Sequence, residues 1–118
     1  MGKKGDAILE QARAHFAAFE TQSIEVPEWA SEDGSPLFIF WKPLTLKQKS
    51  ALYSKAKADD MGLMADVIIY AARDEEGGKL FWPKDRDDFL TKIDPDVTSR
   101  IASAILSGPE PGEDSEKN

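Results

Sequence analysis

The chain has 118 residues, 22 acidic against 15 basic side chains for a net charge of −7, and no cysteine. This composition excludes disulfide staples, thiolate metal sites and cysteine nucleophiles. It also argues against general binding to nucleic acid or to an anionic membrane, both of which need a positive surface. A hydrophobic content of 41%, with three Trp and six Phe, supports one modest core, so a single domain with loose ends is expected.

No apolar run approaches a membrane span, and the lysines near the start are not followed by an apolar signal core. The sequence reading is therefore a soluble, cytoplasmic protein. Asp6 stands as a cap for a first helix to about Phe19, with Ile8, Leu9, Ala12, Phe16 and Phe19 on one stripe as expected core. His15, the only histidine, has no second ligand beside it and reads as a boundary residue.

Residues 23–29 read as a short strand with Ile24 and Val26 on one face, limited to an edge or ended by Pro27. Turn formers fill 30–36, including the Asp33-Gly34 hairpin signal. Residues 37–41, Leu-Phe-Ile-Phe-Trp, form a second strand expected to pair antiparallel with 24–29. Five large apolar residues in succession load both faces of that strand, because side chains alternate sides. Either helices cover both faces, or one face belongs to the core and the other to a partner. Alternation places Phe38 and Phe40 on one side and Leu37, Ile39 and Trp41 on the other.

Pro43 ends the strand, and Thr45 with Gln48 spells a capping box for a second helix from Leu46 to about Ala58. That helix carries Lys47, Lys49, Lys55 and Lys57 around a thin apolar line of Leu46, Leu52, Tyr53 and Ala56. Asp59-Asp60 then breaks the chain. Residues 61–72 hold a single charge, Asp66, and a helix apolar nearly all round belongs at the centre of a domain. A loop at 73–79 contains Gly77 and Gly78, and 79–82 is either a third short strand or a return to the core. Asp85 is placed to cap a short helix through Phe89, Leu90 and Ile93. Asp94, with Pro95 after it, caps a last helix with Val97, Ile101, Ala104 and Ile105 on one face, stopped by Gly108-Pro109. The fold class is α+β: a short antiparallel hairpin, or three strands, packed on four or five helices.

The acidic clusters at 59–60, 74–76 and 85–88 fall at helix starts and turns, where unpaired N–H groups favour carboxylates, and none has calcium-loop spacing. Serines lack a plausible base and the glycine pair lacks a phosphate-loop context. The expectation is a non-enzymatic protein with no cofactor and no metal. What remains is apolar surface: Trp29 and Trp82 beside short strands, and Phe38, Phe40 and Trp41 in the hairpin, as anchors for a protein partner.

Several of these residues together resemble a known family. They are Pro27-Glu28-Trp29, the run Lys42 to Thr45 closing the second strand, and an apolar helix leading into the segment from Asp74 to Phe81, then a short acidic helix and a final Ile/Ala helix. Over residues 22–108 the arrangement is similar to the tail assembly chaperones of long-tailed bacteriophages. An N-terminal helix (1–21) and an acidic tail (109–118) lie outside the resemblance.

The resemblance implies a late, non-enzymatic protein of the host cytoplasm. It would hold the long helical tape measure protein soluble during tail tube assembly and be absent from the mature virion. A negative surface would keep its own copies apart. In such families a longer form arises by ribosomal frameshifting and recruits tail tube protein. Glu116-Lys117-Asn118 is compatible with a slippery A AAA AAC heptamer, which would make the acidic tail a linker. Two alternatives from other classes are an acidic inhibitor or DNA mimic, and a structural connector of the virion tail or neck. Against the mimic, the acids alternate with lysines on the second helix or sit at caps.

From Glu110 onward the chain has four acids, one lysine and no apolar side chain, so it is expected to be disordered, with nothing to bury. A chain ending at Gly108 should melt at the full-length temperature in a thermal scan. A loss of several degrees would show that the tail docks.

Overall fold

A computed structural model describes residues 3–56 and 60–109. Five helices and a two-stranded antiparallel hairpin follow in the order α1 (Lys3–Ala17), β1 (Gln22–Glu25), β2 (Phe38–Trp41), α2 (Leu46–Ala56), α3 (Asp60–Ala71), α4 (Arg86–Thr91) and α5 (Pro95–Ser107). The α+β class expected from the sequence is the observed one. The acidic tail, the Asp59 break and the end expected for the second helix lie outside the described residues.

Helix α3 is the centre. Leu63, Ala65, Val67, Ile68, Ile69 and Ala71 are all buried, although they point to different sides of the helix. Helices α2, α4 and α5 pack against it. The charge in its interior is buried too: Asp66 Oδ1 accepts from Arg86 Nε of α4 at 2.9 Å, leaving Oδ2 without a partner. Val97, Ile101, Ala102 and Ile105 of α5 complete this side of the core, with Ala104 half-buried.

Local signals set several boundaries. Thr45 Oγ1 accepts from Gln48 N at 3.1 Å and Gln48 Oε1 accepts from Thr45 N at 2.8 Å, the reciprocal capping box read from the sequence. Asp94 Oδ1 accepts from Asp96 N at 2.9 Å, with Pro95 in the first position of α5. Asp85 behaves differently from expectation. Its carboxylate accepts from Trp82 N at 2.8 Å and closes a 3-10 turn at Pro83–Asp85, so α4 begins without a side-chain cap.

The hairpin register is Gln22↔Trp41, Ser23↔Phe40, Ile24↔Ile39 and Glu25↔Phe38. The first strand is therefore shorter than expected, and Pro27–Trp29 is a 3-10 turn rather than strand. Pro27 has no N–H for the ladder, and Glu28 is drawn across to Arg100 of α5, with bonds of 3.0 and 2.6 Å. A third strand is reduced to two isolated bridges, Phe40↔Arg73 and Arg73↔Lys79.

Helix α1 overturns one expectation. It buries no residue: Ile8 is 58% exposed, Leu9 51% and Phe16 41%. On α2 the apolar line is also thinner than its pattern suggests, since Leu52 and Ala56 are buried while Leu46 and Tyr53 are exposed.

Removing Asp66 takes away the acceptor for Arg86 Nε and leaves a hole beside α4. Asp66→Ala should cost about 3 kcal/mol, and the melting temperature should fall by roughly 10 °C. Asp66→Asn, which keeps the shape, should lose less. Equal melts for the wild type and the alanine variant would show that the pair is not structural.

Candidate functional site

Strand β2 is buried on one face and open on the other. Ile39 (0% exposed) and Trp41 (3%) point into the core, whereas Phe38 is 42% exposed and Phe40 half-buried on the opposite side. The sequence left open which face would be outward, and it is the Phe38/Phe40 face. Their ring centroids are 6.4 Å apart and tilted by 41°, so the two rings form one aromatic patch.

Phe40 has a neighbour on both strand edges but bonds through its backbone on one of them. Ser23 lies opposite it on β1, and on the other edge Phe40 N donates to Arg73 O at 2.9 Å while Arg73 N donates to Phe40 O at 2.7 Å. Arg73 follows directly from the end of α3, so the central helix and the aromatic strand are tied together. Its guanidinium donates to the carbonyls of Tyr70 and Ala72.

The patch borders an open groove of about 690 Å³ lined by Phe40, Pro43, Leu44, Gln48, Tyr70 and the loop Asp74 to Gly77. Gln48 Nε2 donates to the Tyr70 hydroxyl at 2.9 Å across its wall. Beside it lies a smaller depression between Phe16, Phe19, Lys42 and Pro43, and Thr21, Lys42 and Pro43 belong to both. The lining mixes apolar side chains (Phe40, Pro43, Leu44) with polar and basic ones (Thr45, Gln48, Lys42, Arg73), and the loop adds Asp74, Glu75 and Glu76.

Loop chemistry shapes that rim. Asp74 Oδ1 accepts from Glu76 N at 2.9 Å and Gly78 N at 2.8 Å, and Gly77 adopts φ 90°. A Cβ at Gly78 would lie 2.9 Å from Asp74 Oδ2, so glycine lets the loop close over the carboxylate. Asp74 thus organises the turn, while Glu75 and Glu76 remain exposed.

The five expected anchors do not form one cluster. Phe38 and Phe40 make the patch. Trp41 is turned to the opposite side of the strand, 3% exposed and packed in the core, and it also lines the groove beside Phe40. Trp29 is half-buried against the core from its 3-10 turn, and Trp82 is 47% exposed at the start of the turn before α4. The sequence reading missed Tyr70, Gln48, Pro43 and Arg73 as groove residues. Pro43 was adjacent to the strand and could have been found, but Tyr70 comes into place only through the packing of α2 on α3.

Among the described residues no group of three or more His, Asp or Glu side chains is arranged to hold a metal ion, and no helix is long and apolar enough to cross a membrane. Comparison with family models, with curated proteins and with solved structures finds no match.

The clamp that fixes the hairpin to α5 titrates. Arg100 holds the Glu28 carboxyl down from the ordinary 4.5 to about 2, first through its hydrogen bonds. A carboxylate lowered on folding contributes stability that is fully present above pH 4.5 and is lost as pH falls towards 2. Both groups are well exposed, which limits the effect. Glu28→Gln should lower the melting temperature by a few degrees at most at pH 7, and the difference from wild type should vanish near pH 2. A difference unchanged between pH 7 and pH 2 would show that the charge is irrelevant. Asp33, also lowered to about 2 by Ser31 and Ser35, titrates in both proteins and cancels in the comparison.

Proposed function

We propose that this protein is a phage tail assembly chaperone: a non-enzymatic protein that binds the tape measure protein and keeps it soluble until tube subunits enclose it. The observation that carries the reading is the open aromatic face of β2, Phe38 beside Phe40, adjoining a groove of mixed apolar and polar lining that carries the exposed Glu75 and Glu76. A groove of this kind suits the apolar stripe of an amphipathic helix, with basic flanks of the client meeting Glu75 and Glu76. The sequence resemblance over residues 22–108 supplies the identity of the client. It also supplies the setting, the infected cell's cytoplasm rather than the mature virion, and the frameshift-extended form that would recruit tail tube protein.

An acidic inhibitor would present carboxylates in register on one face. Here several acids instead organise turns (Asp74, Asp33), cap a helix (Asp94) or pair within the fold (Glu28, Asp66). The aromatic face is the better supported surface.

Co-expression with the phage's tape measure protein tests the reading. Phe38→Ser with Phe40→Ser should reduce co-purification at least tenfold while lowering the melting temperature by only a few degrees, because neither ring is fully buried. Trp41→Ala is the contrast: it empties the core and should cost about 3–5 kcal/mol, lowering the melting temperature far more than the double serine variant does. A double variant that still solubilises the tape measure protein would overturn the assignment of the surface.

A further inference from the structure

Helix α1 carries an apolar face that its own domain leaves uncovered. Gly5, Leu9, Ala12 and Phe16 recur at spacings of four, three and four, the heptad pattern of a helix seam, and Phe19 follows just beyond the helix end. Ile8 and His15 border the seam on one flank, and Asp6 and Arg13 on the other. Phe19 is engaged within the chain, its ring centroid 4.9 Å from His15 and 6.2 Å from Phe16. Leu9 and Ile8 remain more than half exposed and Phe16 is 41% exposed, while space around a Cβ at Gly5 is open. A lone helix of 15 residues is marginal in water, and covering this stripe would stabilise it.

The seam is complementary to itself in one orientation. We infer that α1 pairs antiparallel with α1 of a second copy of this chain, Leu9 packing over Ala12 and Phe16 over Gly5 of that copy. Each layer then sets a large side chain against a small one, which gives even spacing along the pair. A parallel pair would set Phe16 on Phe16 and Gly5 on Gly5, leaving one end wedged and the other loose. In the antiparallel register the two-fold axis passes between Glu10 and Gln11, near the middle of the helix, so almost its full length of about 22 Å overlaps.

Charge points the same way. Asp6 and Arg13 lie two turns apart on one flank, too far to meet within a helix, and no ion pair joins them to other described residues. Antiparallel pairing brings Asp6 of each copy beside Arg13 of the other, so two ion pairs form about the axis. The helix is also where two copies repel each other least. The chain has a net charge of −7, but residues 3–17 hold Lys3, Lys4 and Arg13 against only Asp6 and Glu10. The seam is distinct from the Phe38/Phe40 face, so the inference stands apart from the proposed function.

Two helices of this length bury on the order of 1,000 Å² in total, the lower end for a specific interface, so the dimer should be weak, with Kd on the order of 10–100 µM. Sedimentation equilibrium of the full chain from about 5 to 500 µM should show a monomer–dimer equilibrium. Leu9→Glu should abolish the dimer and leave the domain's melt unchanged, since α1 buries no side chain. Arg13→Asp, a change between exposed charges that carries the test if Leu9→Glu disturbs the helix, should weaken dimerisation about tenfold by opposing Asp6. The double variant Asp6→Arg, Arg13→Asp should restore it, and an equimolar mixture of the two single variants should form the mixed dimer. A monomer throughout the concentration range, a dimer indifferent to these changes, or loss without rescue in the double variant would each overturn the proposal.

Discussion

An apolar helix with no face suited to water has to be enclosed, and in this protein α3 sets that requirement. Val67, Ile68 and Ile69 are consecutive, hence on three sides of the helix, and all three are buried. One neighbouring helix cannot cover three sides. Packing by α2, α4 and α5, and the capping box and proline that aim α2 and α5, follow from the need to enclose α3. Asp66 fits into this enclosure because Arg86 arrives on α4 to pair with it, so the central charge also fixes the short helix.

The same geometry explains why one face of the hairpin is bare. The chain leaves α3 through Ala72 and Arg73, and Arg73 bonds to Phe40 on both sides of its peptide. The sheet is thereby held edge-on to the end of the central helix, with Ile39 and Trp41 directed to the helices. Among the described residues no second layer covers Phe38, which stays 42% exposed, and Phe40 is only half-buried. An exposed aromatic pair on a strand anchored at both edges is rigid, and rigidity limits the entropy lost when a partner is bound.

What could be read from the sequence depended on the range of the interaction. The capping box, the Asp94 cap, the Gly108 stop and the two-sided loading of β2 are encoded within a few residues, and each was legible. The first strand was read too long because Pro27–Trp29 is drawn into a turn by Arg100, far away in the chain. Helix α1 was read as core because periodicity shows that a helix has an apolar face without showing what lies against it. The groove was illegible for a related reason: Tyr70 and Gln48 are unremarkable in sequence and become neighbours through packing. Asp85 was assigned to the wrong turn because a carboxylate there reaches either the helix after it or the backbone N–H of Trp82 before it.

The uncovered seam of α1 and the aromatic groove are neighbouring surfaces. The depression formed by Phe16, Phe19, Lys42 and Pro43 adjoins the groove, so the end of the seam and the start of the groove share a wall. If two copies pair through α1, their grooves become related by a two-fold axis. A short client segment would gain nothing from that arrangement. A long helical client with more than one suitable stripe would, because after the first contact the second becomes intramolecular, and avidity rises without any tighter single site. A weak site and a weak dimer would then act together only on a long client, and release would need only one of the two contacts to be displaced at a time. That combination would suit the proposed role, in which a long chain is held soluble and later given up to polymerising subunits.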